Sequence, residues 1–138
     1  DFITSSATAV DVTGLSFTPS ANTRYEFEGR FLLRTATATV NPRTGLAWPT
    51  GGTDGVAQIQ ESQVAAGNFI TASGNINAAL LIGVGALPNT TQSWPASLFG
   101  MFIAGASPSG TLQIRLASET AGTNVQMRAG SFFRWRVF

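Results

Sequence analysis

Histidine, cysteine and lysine are all absent from these 138 residues, and every basic side chain is an arginine. Without imidazole, no side chain is ready-made to pass protons near neutral pH. Without thiols there is no sulfur nucleophile, no soft metal ligand and no disulfide. Without lysine there is no Schiff base. Charge of either sign is scarce as well: charged residues make up 11% of the chain, against roughly 25% in ordinary soluble domains. A formal net charge of +1 gives no electrostatic basis for binding nucleic acid. No apolar run approaches the ~20 residues of a membrane-spanning helix; Leu98 to Ala106 is too short and contains two glycines. The start lacks the basic and apolar regions of a signal peptide. Composition therefore argues against an enzyme, a cofactor, a metal, a nucleic-acid partner or a membrane.

Apolar residues, Gly, Ala, Ser and Thr are plentiful. Hydrophobic residues at 43% in a chain of this length can build one core. Low charge over such a chain suggests that other protein covers much of the surface. No linker, repeat or composition break divides residues 1–138, which read as a single domain, with residues 1–8 open to forming an extended N-terminal arm. That arm either reaches across a neighbour or is an unstructured leader.

Alternation with period two recurs along the chain and marks half-buried strands. A first weak strand over Ala7 to Val12 is turned by Thr13-Gly14, with Leu15 and Phe17 as anchors. Pro19 to Asn22 is a turn. From Thr23 to Thr39, Tyr25, Phe27, Phe31 and Leu33 share one parity, and Arg24, Glu26, Glu28, Arg30 and Arg34 the other. That predicts one buried face and one ionic face, with the glutamates as cross-strand or subunit-bridging partners. Asn41 to Thr53 reads as a long loop holding Leu46 and Trp48, and Gly55 to Gln60 as a strand with an irregularity. Between Gln63 and Ala86 glycines and asparagines interrupt β-branched residues; Asn77 to Ile82 fits one helical turn. Pro88 to Thr91 is a turn. Ser93 to Ala106 reads as a strand buried on both faces, closed by Pro108-Ser109-Gly110 into a terminal hairpin. Leu112, Ile114 and Leu116, then Val125 and Met127, alternate around a loop at Ser118 to Asn124. The chain ends on Phe132, Phe133, Trp135, Val137 and Phe138, interleaved with Arg134 and Arg136. Unburied, such a tail invites aggregation, so it is expected to dock into a sheet or onto a partner. About eight strands with no helix predict an all-β fold: an antiparallel β-sandwich, jelly-roll-like.

Motifs with chemical potential are few. Gly83-x-Gly85 lacks the third glycine and the following helix of a dinucleotide loop. Asn89-Thr90-Thr91 matches a glycosylation acceptor, which means little without secretion. Asp54, Glu61 and Glu119 have no close spacing and read as solvated loop acids rather than cation ligands. Glu26 and Glu28 lie ~7 Å apart along a strand, superficially like a glycosidase pair, but flanking Arg24 and Arg30 make them ion-pairing groups rather than a proton donor. Arg134 and Arg136 beside aromatics have the composition of a single-strand stacking platform; edge or interface arginines explain them better.

Four stretches carry a family resemblance: DVTGLSF (11–17), NTRYEFEGRFLLRTA (22–36), GLAWPTGGTDGVA (45–57) and LASETAGTNVQMRAGSFFRWRVF (116–138). The last combines a Leu-Ala-Ser-Glu phrase, a Gly-containing turn, an alternating Val/Met strand and a final Ala-Gly-Ser-aromatic-Arg strand. Together they resemble small virion proteins of tailed bacteriophages and prophages, of the jelly-roll capsid decoration or cement type. The resemblance covers most of the chain and is weakest between Gln63 and Asn89. It implies a non-enzymatic protein on the outer surface of the capsid, made in the host cytoplasm, that clamps neighbouring major capsid subunits as a homodimer or homotrimer. The alternative is a receptor- or glycan-binding tip of a tail fibre, with Trp48 and Trp94 stacking on sugars. Expected partner-binding residues are Phe2 and Ile3 in the arm, Trp48 in the long loop, and Arg134 and Trp135 near the end.

Overall fold

The computed structural model of the chain describes residues 1–63, 68–76, 80–82 and 90–138. Among them are eleven strands and no helix: β1 (Phe2–Thr4), β2 (Val10–Phe17), β3 (Arg24–Thr35), β4 (Pro42–Ala47), β5 (Thr50–Gln63), β6 (Asn68–Asn75), β7 (Leu80–Ile82), β8 (Trp94–Ser109), β9 (Leu112–Ser118), β10 (Val125–Met127) and β11 (Phe132–Val137). All pairings are antiparallel, and eight strands form a nested hairpin. Within it β2 pairs β9, β3 pairs β8, β4 pairs β7 and β5 pairs β6. Rolling that hairpin up brings β9 against β4 and β8 against β5. This is jelly-roll connectivity, though its eight strands are not the eight read from the sequence, which counted the two C-terminal strands and took β4 for loop. The other three strands extend one flank. β10 and β11 lie end to end along β3, and β1 lies along β10. The result is a seven-stranded sheet facing the four-stranded sheet β2-β9-β4-β7.

Period-two alternation delivers one parity of each strand to the space between the sheets. Tyr25, Phe27, Phe31 and Leu33 of β3 meet Ala57 and Ile59 of β5, Leu98 and Phe102 of β8, and Leu112, Ile114 and Leu116 of β9. Each such large side chain, fully buried, contributes ~1.5–3 kcal/mol. Gly100 lies under the Phe27 ring, where a Cβ would strike both that ring and the Val56 carbonyl. Its lack of a side chain is what lets Phe27 lie flat against β8.

Several expected elements differ. Thr13-Gly14 does not end a strand. Gly14 has φ +83° inside β2, and the β2–β9 register slips between Asp11 and Ser16, which is a bulge. The strand expected to reach Thr39 stops at Thr35, whose hydroxyl donates to the Thr37 carbonyl at 3.0 Å while Val40 N–H bonds the same oxygen. Local side-chain bonding there replaces the ladder. The long loop expected over Asn41 to Thr53 is instead β4 and the start of β5, joined through Trp48 and Pro49. Irregular pairing falls between Thr50 and Asp54, not within Gly55 to Gln60, where Val56 and Ile59 simply face opposite sides. Leu80–Ile82 is a strand rather than part of a helical turn; Asn77, Pro88 and Asn89 lie outside the described residues. The turn at Pro108 to Gly110 carries the chain to the other sheet instead of closing a hairpin. Finally, β8 is covered on one face only.

Candidate docking face

The outer face of the seven-stranded sheet is concave and encloses about 1020 Å³ of open groove. Register alone assembles it. One row across the strands reads Arg136, Glu26, Met101, Val56; the next reads Arg134, Glu28, Phe99, Gln58, Ser73. Residues directly opposite on one face of antiparallel strands sit within contact distance, so each row is a line of neighbours. Apolar side chains occupy its centre: Val56 is 53% exposed, Phe99 49% and Met101 45%. Glutamate–arginine pairs bound it on the β11 side, and amide and hydroxyl groups on the β6 side. Arg136 Nε donates to Glu26 Oε2 at 2.6 Å, and Arg134 pairs with Glu28. The Arg134 guanidinium also lies over the Phe132 ring, 5.5 Å from its centroid. A contiguous apolar patch rimmed by polar groups is the signature of an interaction surface.

Glu26 and Glu28 make the cross-strand pairs expected of them, not with flanking Arg24 and Arg30 but with β11 arginines more than a hundred positions away. Arg134 is therefore on the face, as an ion-paired rim residue. Trp135, of opposite parity, turns inward and stacks on Phe17 at 4.8 Å and 16°, while remaining 47% exposed at the mouth of the sandwich. The other three expected contact residues lie elsewhere. Phe2 and Ile3 do not reach across a neighbour: β1 is paired with β10 of its own chain, Phe2 packs on the core, and Ile3 is exposed beside it. Asp1 fixes that strand, its carboxylate accepting Ala129 N–H at 2.7 Å and pairing with Arg128 at 2.9 Å. Trp48 lies in the short β4–β5 connection rather than in a long loop. It packs edge-on against Phe27, centroids 5.9 Å apart, and against Phe102 at 6.1 Å, as an anchor between the sheets. Trp94 is likewise half-buried.

Val56, Phe99 and Met101 are the residues sequence reasoning missed. Their signal was present as parity: Phe99, Met101 and Ile103 alternate with Leu98, Phe102 and Ala104, but the stretch reads as one apolar run. The three loop acids do not converge. Asp54 accepts Gly55 N–H at 2.7 Å, and Glu119 accepts Asn41 N–H at 3.2 Å. Glu61 is not solvated at all. It is 3% exposed between the sheets, where Thr44 N–H donates to its Oε1 at 2.8 Å. Burial pushes its carboxyl up to about 8, against the opposing pull of the Thr44 contacts. Among the described residues no group of three potential ligands could hold a metal ion. Comparison of the chain with protein-family models, with curated proteins and with solved structures finds no match in any of the three.

Proposed function

We propose that this chain is a non-enzymatic structural protein of a tailed-phage virion, a capsid decoration protein that clamps neighbouring major capsid subunits from the outer surface of the head. One observation carries the reading furthest: the apolar centre of the concave sheet face stands uncovered in a chain otherwise poor in catalytic groups. Such a face works by burial, and repeated at each junction of a lattice it would resist the outward push of packed DNA. A clamp that binds only the assembled geometry stabilises that geometry by mass action, and oligomeric clamps add avidity. The sequence resemblance supports the same role.

Heads stripped of the protein provide the test. Adding back the wild-type chain should raise the temperature at which DNA is released, and densitometry of intact virions should give hundreds of copies per particle. Phe99→Lys with Met101→Lys should abolish rebinding while the melting temperature of the free protein stays within a few degrees, because both side chains are half-exposed. A count in the tens or fewer would favour a tail tip, and unaltered rebinding by the double variant would reject this face.

A further inference from the structure

We propose that the free edge of β11 is a homodimer interface, closed by antiparallel pairing with β11 of a second copy. Phe138 N–H bonds to the Arg24 carbonyl at 3.2 Å. Antiparallel ladders alternate bonded and non-bonded pairs, so Phe132, Arg134 and Arg136 also bond toward β3. The N–H and C=O groups of Phe133, Trp135 and Val137 consequently point the other way. Among the described residues no strand pairs with that side of β11. The same flank is covered one step earlier, where β1 pairs along β10. Covered and uncovered stretches thus lie in line on one sheet edge, and the covered one shows that this flank accepts an antiparallel strand.

Exposed sheet edges are usually blunted by proline, lysine or a bulge within the strand. Residues 132–138 carry no proline and no lysine, and β11 pairs with β3 without a register slip. Its two arginines are each paired with a glutamate of β3. What the edge offers is apolar: Phe132 is 40% exposed, Trp135 47%, Val137 63% and Phe138 58%. Aromatic side chains carry ~150–250 Å² each, so the three half-exposed aromatics together with the smaller Val137 leave roughly 300–400 Å² per copy. With the backbone edge included, two copies approach the ~1,000 Å² at which specific interfaces begin.

The second copy is the occupant because the edge is self-complementary. A two-fold axis through Trp135 sets that ring against Trp135 of the second copy and Phe133 against its Val137. All three outward backbone pairs are then used on both chains. Arg134 meets Arg136 of the second copy across the axis, but the row reads Glu, Arg, Arg, Glu, so each like-charge contact is flanked by its own counter-charge. An isologous pairing of this kind consumes both edges and stops at two. It joins two concave faces into one fourteen-stranded surface.

The pairing stands on the edge alone and does not require the capsid reading. Sedimentation equilibrium of the full chain should show a dimer at about 10–100 µM, as expected of a small interface. Val137→Pro removes an outward donor without touching a bond to β3, and Trp135→Lys places charge on the axis. Each should raise the dissociation constant about tenfold or more, while circular dichroism confirms the fold. Phe99→Lys, on the concave face, should leave the dimer intact. A wild-type monomer or trimer in that range, or a dimer indifferent to both edge variants, would overturn the proposal. A monomer that still protects heads would sink the dimer and leave the capsid role standing; a dimer that binds no heads would do the reverse.

Discussion

Glu61 is the residue at which burial and chemistry pull hardest against each other. Its carboxyl sits between the sheets with the Thr44 N–H as a hydrogen-bond donor and binds its proton more tightly in the folded chain than in the unfolded one. The sign follows from linkage: a raised folded-state pKa gives stability that is fully present below the unfolded value near 4.5 and is lost as pH rises toward about 8. Glu61→Gln keeps the shape and the acceptor but cannot ionise. Urea unfolding at pH 5 should find the two proteins similar. At pH 8 the variant should be more stable, by an amount on the order of a few kcal/mol. Equal pH slopes for both proteins would show that Glu61 is charged in the fold without penalty. Nothing in the sequence distinguished this acid from Asp54 or Glu119, because its burial is created by β4, a strand that reads as loop.

At the scale of elements, the Glu26–Arg136 and Glu28–Arg134 rungs tie β11 to β3. Their side chains are largely exposed, so solvent screens them and each is worth well under ~1 kcal/mol. A double-mutant cycle with Glu28→Gln and Arg134→Gln should return a coupling energy no larger than that, falling further in 1 M salt. The ladder therefore sets register more than strength. Much of the element pattern could be read directly. In β3 and β9, alternation of large apolar with polar residues, broken at Gly29, Leu32 and Ala117, marked both the strand and its inward face. It failed where composition misled: Pro42, Pro49 and the glycines around Gly51 suggested a loop, yet proline is tolerated at the start of β4 and between strands, where no ladder donor is needed. It failed again in β8, where small and apolar residues on both parities concealed that Phe99 and Met101 face outward. The docking face was thus only half legible; its charged rim was visible in β3, and its apolar centre was not.

For the whole molecule, the class of fold followed from turn spacing and strand count, but the pairing did not. Which strands are neighbours depends on contacts between distant segments, and no local pattern encodes that the C-terminal aromatics would line β3. The nested hairpin makes nearly every pairing long-range: β3 waits for β8, β2 for β9, and Thr4 for Val125. Chains dominated by such contacts fold slowly. Stopped-flow refolding should accordingly run on the order of milliseconds to seconds, and microsecond folding would contradict the topology. During synthesis the consequence is sharper. Until Val125–Val137 has been made, the aromatic-rich flank of β3 lacks its natural cover, and nascent copies on one message are each other's nearest hydrophobic company. Such a chain stays prone to association until Val125–Val137 has joined the sheet.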